Sequence, residues 1–433
     1  MGFLEKFKKK KKSFISYTIW EDGHTLKPDS SKVKFFKLIN PTAAIQTFKW
    51  VRRRQGWFLK NLTFKRLFNI FWVGIHFLTK RESLKAWPVA VKIDVTPLCN
   101  LKCTVCIHSH PGDNIDLKKQ NFHSSQKMGL DQFRRIIEEI KDTTCAVALY
   151  YLGDPFMHPN IDAMCRIARD AGLGVHLSSN FSFSFSDERI KQITTSGVTH
   201  LTVCVDGLSQ EKYSRTRVGG RIDWVLSNLR RLCQYRDLLG LDYPIVEVQY
   251  IKYRHNIDEL DEARRLFEEL GVDQMTDFWG SLHNYTDWNL NKYTVYGPRK
   301  NKLIAQCLWP YFSTVILYNG DVVPCCGHRL GTICTGADDA YMFGNVFKSS
   351  FREIWNSEKY IQTRELVCNP ENYKHDASLK DTYCYGCSLI FDTNIYDNQY
   401  YGEDTDFEEV FMIGEKGYPV PRKKATSHKD EGD

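Results

Sequence analysis

Cys99, Cys103 and Cys106 are separated by three and then two residues, on a short stretch that leaves the apolar run 91–95. Three thiolates so spaced on one loop can each take one iron of a cubane cluster and leave the fourth iron open. The alternative for the same residues is three buried thiols. A second group lies far down the chain. Cys307 precedes an Asn319-Gly320-Asp321 turn, Cys325 and Cys326 follow it, and Cys384 and Cys387 close the group. By spacing alone this second group suits a four-cysteine zinc site as well as iron and sulfide. Between the two groups, polar residues collect where apolar runs end: Gly153-Asp154-Pro155, Ser178-Ser179-Asn180, Cys204 with Asp206, and Arg217 inside Tyr213 to Gly220.

The elements that must position these residues are legible as alternating periods. Strand-like runs fall at 91–95, 146–152, 175–178, 201–205, 245–251 and 274–278. Helical patterns fall between them, at 130–140, 161–171, 188–195, 224–232 and 259–270. Phe133, Ile136, Ile137 and Ile140 mark the apolar stripe of the first. Six strands joined by helices predict a parallel sheet with right-handed crossovers, either open or a partial barrel. In both arrangements function sits at the carboxyl ends of the strands. Period-two alternation puts Thr202, Cys204 and Asp206 on one polar face, the expected lumen. After about residue 300 the pattern changes to a strand at 315–317, a hairpin turn and a second strand before Cys325.

Length and charge set the outer limits. At 433 residues the chain is expected to hold a large domain with appendages, or two to three domains. The boundaries read as a basic arm over 1–90, a barrel over 91–285, a cysteine-bearing domain over 300–390 and an acidic, aromatic segment over 391–433. The net charge of +7 conceals an asymmetry: residues 1–90 carry 20 Lys and Arg against 5 Asp and Glu, leaving 39 against 47 for the rest. Nucleic acid is disfavoured as a partner, because charge is its only support and no binding motif accompanies it. With no signal-peptide pattern, and cysteines in ligand-like spacing, a reducing cytoplasm is the expected setting.

The arm reads as mostly helical. Phe64, Leu67, Phe68, Phe71, Trp72, Ile75 and Leu78 recur at helical spacing, flanked by Lys60, Lys65, Arg66, Lys80 and Arg81. The simplest expectation is that these aromatics pack against the barrel while the cations stay in water. The alternatives are peripheral contact with the inner face of an anionic membrane and contact with a polyanionic partner. Asn69, Gly74 and His76 interrupt the apolar stretch, which is too short to span a bilayer.

The pattern Thr96-x-x-Cys99-Asn100-Leu101-Lys102-Cys103-x-x-Cys106 resembles the hallmark of radical S-adenosylmethionine (SAM) enzymes. That resemblance selects a partial (β/α)6 TIM-like barrel. It implies a [4Fe–4S] cluster on Cys99, Cys103 and Cys106, with SAM on the open iron and a 5′-deoxyadenosyl radical as the product of its reductive cleavage. Leu152-Gly153-Asp154-Pro155 is similar to the family's Gly-Gly-Glu-Pro segment, which contacts the SAM amino group; Leu replaces the first Gly and Asp the Glu. Ser178-Ser179-Asn180-Phe181 resembles Ser-Thr-Asn-Gly, with Phe where Gly is usual. Val203-Cys204-Val205-Asp206-Gly207 resembles Val-Ser-Ile-Asp-Gly, with Cys204 at the ribose-binding Ser. Arg217 matches the arginine that pairs with the SAM carboxylate. Cys204 has a second expected role, as hydrogen donor to a substrate radical, beside the plain reading of a small buried residue.

Residues 300–390 resemble the C-terminal SPASM extension, through the cysteine order, Gly344-Asn345 and Glu353-Ile354-Trp355. The resemblance implies one auxiliary [4Fe–4S] cluster on Cys307, Cys325, Cys384 and Cys387, with Cys326 competing for the Cys325 role. It also implies a reduced flavodoxin- or ferredoxin-type electron donor. The expected reaction is oxidation or epimerisation of a sugar, cyclitol or lipid-linked glycan. Peptide maturation is the alternative among enzymes, and a non-enzymatic iron–sulfur scaffold the alternative of another class.

Overall fold

The computed structural model describes residues 14–18, 60–103, 106, 125–253, 255–279, 306–326, 341–370, 382–385, 387, 411–413 and 419–421. Lys8 to Lys12, the part of the arm at 43–59, Cys334 and nearly all of the acidic, aromatic segment lie outside them.

The elements run β1 (Ile15–Thr18), α1 (Phe64–Leu78), β2 (Ala90–Ile93), α2 (Leu130–Ile140), β3 (Ala146–Ala148), α3 (Ile161–Asp170), β4 (Gly174–Ser179), α4 (Asp187–Thr195) and β5 (His200–Cys204). Then follow α5 (Gln210–Thr216), α6 (Ile222–Leu238), β6 (Ile245–Lys252), α7 (Leu260–Glu269), β7 (Gln274–Trp279), α8 (Trp309–Phe312), β8 (Ser313–Ile316) and β9 (Val322–Val323). Two helices, α9 (Phe351–Trp355) and α10 (Glu358–Cys368), and a separate hairpin of β10 (Phe411–Ile413) and β11 (Pro419–Pro421) complete the order.

Strands β2 to β7 lie side by side in chain order and parallel, each crossover made by the expected helices. The sheet stays open and reaches nine strands in the order β1-β7-β6-β5-β4-β3-β2-β8-β9. The partial barrel is therefore extended at both edges. From the arm, β1 pairs with β7, Ile15 opposite Gln274. From the C-terminal region, β8 pairs with β2, Ala90 opposite Ser313, and carries the antiparallel β9. The extra strands cover backbone that an open six-stranded sheet would leave unpaired.

Local chemistry fixes the ends. Ser186, Ser209 and Ser350 cap α4, α5 and α9 through their hydroxyls. Ser350 and Glu353 form a reciprocal capping box, so the Ser-Phe-Arg-Glu segment starts a helix whose Phe351, Ile354 and Trp355 enter the core. Gly320, at φ +90, makes the expected turn between β8 and β9, and a Cβ there would stand 2.6 Å from Phe347. Asn345 locks that turn from outside, its amide donating to Asn319 O and Asp321 Oδ1 at 3.0 and 2.8 Å. The C-terminal region shares the core of the barrel: Trp355 Nε1 donates to Ala86 O at 3.0 Å, and the buried Arg364 donates to Glu82 O, Pro310 O and Trp355 O.

One expectation is overturned in part. Of the apolar residues of α1, Phe64, Leu67, Phe68, Phe71 and Leu78 are exposed, Ile70, Trp72 and Phe77 are half-buried against the core, and the residues turned fully inward are Arg66, Asn69, Val73 and His76. The polar residues win the interior because they supply donors that main-chain carbonyls of the barrel lack. Arg66 donates to Asn61 O, Gly172 O and Lys141 O, each at 2.6 Å, and to Ala171 O at 3.3 Å. Asn69 donates to Trp87 O and Thr143 O and accepts from Trp87 N.

Candidate functional site

The loops after β2, β3, β4 and β5 meet at one end of the sheet, the carboxyl end. The cysteine loop follows β2. Cys103 is buried and Cys99 and Cys106 are partly exposed. Leu101 N–H donates to Cys99 Sγ at 3.4 Å, Asn180 Nδ2 reaches the same sulfur at 3.7 Å, and Arg217 Nη1 stands 4.0 Å from Cys103 Sγ. Burial, then the charges of Asp154, Cys103 and Cys106, push the Cys99 thiol well up. Among the described residues no three His, Cys, Asp or Glu side chains close around a single point. A cubane takes one sulfur on each of three irons, so its cysteines stand further apart than the ligands of one ion. Three sulfurs on one loop, with N–H donors turned to Cys99 and a guanidinium to Cys103, fit such a cluster.

Gly153 is required by close approach. A Cβ on it would lie 2.2 Å from Leu98 O, in the main chain just before Cys99. Asp154 N–H in turn donates to Leu98 O at 2.8 Å. The carboxylate of Asp154 is buried and turned to β4, accepting from Ser179 Oγ (2.8 Å), Asn180 N (2.8 Å) and Phe156 N (3.0 Å). Burial, only partly offset by these donors, raises its carboxyl to about 6. Asp154 thus braces the Ser179-Asn180 turn. Asn180 continues the chain of contacts to Asn100 Oδ1 at 2.9 Å, and Asn100 donates to Ser182 O.

Phe181 occupies the place where the family uses glycine, and its φ is +56. The turn needs a left-handed residue, which costs a non-glycine residue about 1–2 kcal/mol. Ring contacts with Phe156 and Phe185 at 5.7 and 5.6 Å, and Asn228 Nδ2 on its carbonyl, hold it there.

Asp206 and Arg217 form a mostly buried pair, Nε to Oδ2 at 2.6 Å. Asp206 also accepts from Ile251 N and Thr216 Oγ1, tying β5 to β6 and α5. Burial opposes the charge of Arg217, but Asp206 and the nearby thiols hold it well above its ordinary range. The segment carrying Arg217 braces the cysteine loop directly, since Lys102 N–H donates to Val218 O at 3.0 Å.

Cys204 lies one layer deeper. Its Sγ donates to Gln249 Oε1 at 3.6 Å and stands 3.9 Å from Ser178 Oγ; burial raises the thiol. Below it the lumen stays polar: His176 Nε2 meets Thr202 Oγ1 at 2.8 Å, His200 Nε2 meets Glu247 Oε2 at 2.6 Å, and Thr276 Oγ1 donates to Glu247 Oε1 at 2.5 Å.

One residue at this end escaped the sequence reading. Asp94 ends β2 fully buried, accepting from Leu152 N at 3.2 Å, and burial lifts its carboxyl to about 7. Its Oδ2 has no hydrogen-bond partner among the described residues. The alternation Val91-Lys92-Ile93-Asp94 was the available signal, since it puts Asp94 on the same face as Lys92. Asn256 is buried and donates to Asp206 O and Ile251 O. Its neighbour His255 stacks on Tyr253, with burial lowering it to about 4.

In the C-terminal region, burial first, and then the charges of Cys387 and Cys368, raise the Cys307 thiol to about 12. Cys384 and Cys325 act together on the buried Tyr360, and Tyr383 OH donates to Cys325 O at 3.1 Å. Cys387 N donates to Cys384 O at 3.2 Å. Cys368 is held by Tyr311 OH at 2.7 Å and Gln306 Nε2 at 3.4 Å.

An open parallel barrel with a three-cysteine loop after its first crossover strand, braced by the loops of three neighbours, defines a class of iron–sulfur proteins that use SAM. The radical SAM superfamily model matches residues 93–266, and the iron–sulfur cluster-binding SPASM domain matches residues 307–388. The chain belongs to the radical SAM superfamily and carries the SPASM extension; it is an enzyme of that class, with a [4Fe–4S] cluster, SAM and auxiliary iron–sulfur binding. It is 25% identical over 339 residues to the tungsten-containing aldehyde ferredoxin oxidoreductase cofactor-modifying protein of Pyrococcus furiosus, covering 70% of this chain and 90% of that one. It is 21% identical over 188 residues to the PqqA peptide cyclase of Bradyrhizobium diazoefficiens, covering 43% of this chain and 45% of that one. Among solved structures, Streptococcus suis SuiB bound to its precursor peptide SuiA aligns at a TM-score of 0.48 and 13% identity, over 68% of this chain and 70% of that one.

Proposed function

We propose that this radical SAM enzyme removes hydrogen from an unactivated C–H bond of a compact, hydroxylated substrate such as a sugar or cyclitol, and oxidises or epimerises it. The observation that supports the site is the bracing of the Cys99–Cys103–Cys106 loop by Gly153, Asn180 and Arg217, from three different strand ends. In this reading those three cysteines hold the catalytic cluster, and Cys307, Cys325, Cys384 and Cys387 hold the auxiliary one. When bound, and reduced by a flavodoxin- or ferredoxin-type donor, the cluster and SAM supply a 5′-deoxyadenosyl radical.

The chain's own residues do the rest. Arg217 steadies the thiolate of Cys103 and offers its charge to the SAM carboxylate. Gly153 lets the segment after β3 close on the main chain before Cys99, and Ser179, Asn180 and Asp206 fix the turns around SAM. Cys204, kept as a thiol by burial, can give a hydrogen atom to a substrate radical; the thiyl radical left behind takes one electron, from the reduced donor by way of the auxiliary cluster, and one proton to re-form the thiol. The polar lumen of Ser178, Thr202, His176 and Gln249 favours a substrate rich in hydroxyls. A lipid-linked glycan delivered by the arm is not part of this reading, because α1 lies at the other end of the barrel.

Peptide or protein modification is the second reading. It is favoured by the similarity to a peptide cyclase and to a cofactor-modifying protein.

The test is anaerobic. The full chain, reconstituted with iron and sulfide, is expected to hold about eight irons, four per cluster. With SAM and a strong reductant it should release 5′-deoxyadenosine, and Cys103→Ala should abolish that release. About four irons with zinc would remove the auxiliary cluster from the proposal. No deoxyadenosine from the loaded, reduced protein, with sugars and peptides both supplied, would count against the whole reading. Cys204→Ala separates the outcomes further: an epimerase would keep deoxyadenosine formation and lose product.

A further inference from the structure

α1 leaves a second, wholly apolar face in solvent. Every apolar side chain on its outer face points to water, with Phe64 82%, Phe71 58% and Phe68 54% exposed, and Leu67 and Leu78 beside them. Gly74 and the partly exposed Ile75 complete that face, and no charged residue interrupts it. Among the described residues the large exposed apolar side chains are these five and Leu238 with Leu239. Those two leucines stand at the end of α6, just before Asp242 and Tyr243, and Lys60 at the start of α1 pairs with Asp242 and lies over the Tyr243 ring. The apolar residues therefore belong to one side of the molecule.

The helix cannot roll to hide this face. Arg66 and Asn69 are fixed by the carbonyls of Lys141, Ala171, Gly172, Trp87 and Thr143. Those carbonyls end α2 and α3 or precede β2 and β3, so α1 lies across the amino ends of the strands. The cysteine loop is at the opposite end.

The surroundings are cationic. Lys60, Lys65, Lys80, Arg81 and Lys85 are exposed around the helix. The pairs Lys60–Asp242 and Lys65–Asp142 are solvent-exposed, contribute little and can exchange for other anions. A second copy of the chain is a poor occupant, because a two-fold contact through this face would bring the lysines and Arg81 around the helix against their own copies. No helix of the described residues is long and apolar enough to cross a membrane. An aromatic face at the level of the acyl boundary, ringed by lysines at the level of phosphates, matches an anionic lipid surface.

We propose that the outer face of α1 seats the enzyme on an anionic membrane surface by its barrel floor, leaving the cysteine loop and substrate entrance facing the aqueous side. The surface is then a docking site and not a route for lipid substrate. This inference does not depend on which substrate the mouth accepts.

The experiment is flotation of the full-length, cluster-loaded protein with phosphatidylcholine vesicles, with and without about 30% phosphatidylglycerol. The wild type should float with the anionic vesicles and stay behind with the neutral ones. Phe68→Ser/Phe71→Ser should weaken flotation roughly tenfold or more while leaving deoxyadenosine formation unchanged. Three results would overturn the proposal. One is no flotation with anionic vesicles. Another is undiminished flotation of the double variant, which would assign binding to the basic residues alone. The third is a lipid-free dimer, seen by light scattering and lost in the double variant, which would make the face a contact between copies.

Discussion

Arg217 and Arg66 are arginines turned inward at opposite ends of the same barrel, the first half-buried and the second buried, and they spend their hydrogen bonds differently. Arg66 gives its donors to main-chain carbonyls alone, and burial lowers its pKa. Arg217 keeps its charge through Asp206 and turns Nη1 toward Cys103. The first arrangement is closed and holds a helix in place. The second leaves a cation beside sulfur, where chemistry needs one. Between these two, the arginine with bonding capacity turned to sulfur belongs to the site, and the one absorbed by carbonyls belongs to the construction.

The largest expected effect strikes the mouth. Gly153→Val would drive a side chain into Leu98 O, a main-chain atom that cannot yield without moving the loop before Cys99. The reconstituted variant should lose about four irons, keep those of the auxiliary cluster and lose deoxyadenosine formation. An unchanged iron count would break the argument that Gly153 and the cysteine loop form one unit.

The floor supplies the next. Arg66→Met should cost about 3–5 kcal/mol in urea unfolding, because several buried carbonyls lose their donor. Phe71→Ser, on the same helix, should change stability by no more than about 0.5 kcal/mol. That order inverts the usual relation between apolar and polar substitutions, and the reverse result would restore an aromatic face packed on the barrel.

The smallest concerns Asp94, whose carboxyl stands at about 7 in the folded chain against an ordinary value near 3.8. Between those values the folded state binds more protons than the unfolded one, so this group lowers stability as pH rises from about 4 to about 7. Asp94→Asn removes that slope. Iron-free protein should show the variant gaining on the wild type from pH 4.5 to 8, by on the order of 3 kcal/mol. A constant difference across that range would mean that Asp94 ionises normally.

Much of this molecule was legible in the chain because its signals are local. Three cysteines on one loop, a turn at Asn319-Gly320, and six runs of alternating period each need only neighbouring residues to be read. The strands at 201–205 and 245–251 and the helix at 130–140 fall within a residue of β5, β6 and α2. Asp94 and the short β1 were less legible. Four residues, Ile-Ser-Tyr-Thr, beside a lysine run give almost no pattern, and β1 is defined by the edge of β7 that it covers.

The sequence by itself determined the cluster loop, the parallel α/β class and the order of its crossovers. Tertiary structure alone decided which face of α1 turns inward and where the carboxylate of Asp154 points. Periodicity reports that a helix has two faces, and the assumption that the apolar one is buried holds only where nothing else competes for the interior. Here carbonyls at Gly172 and Lys141, 106 and 75 residues from Arg66, needed donors more than the core needed phenyl rings. Such a demand comes from segments remote in the chain, and it exists only once they have been brought together.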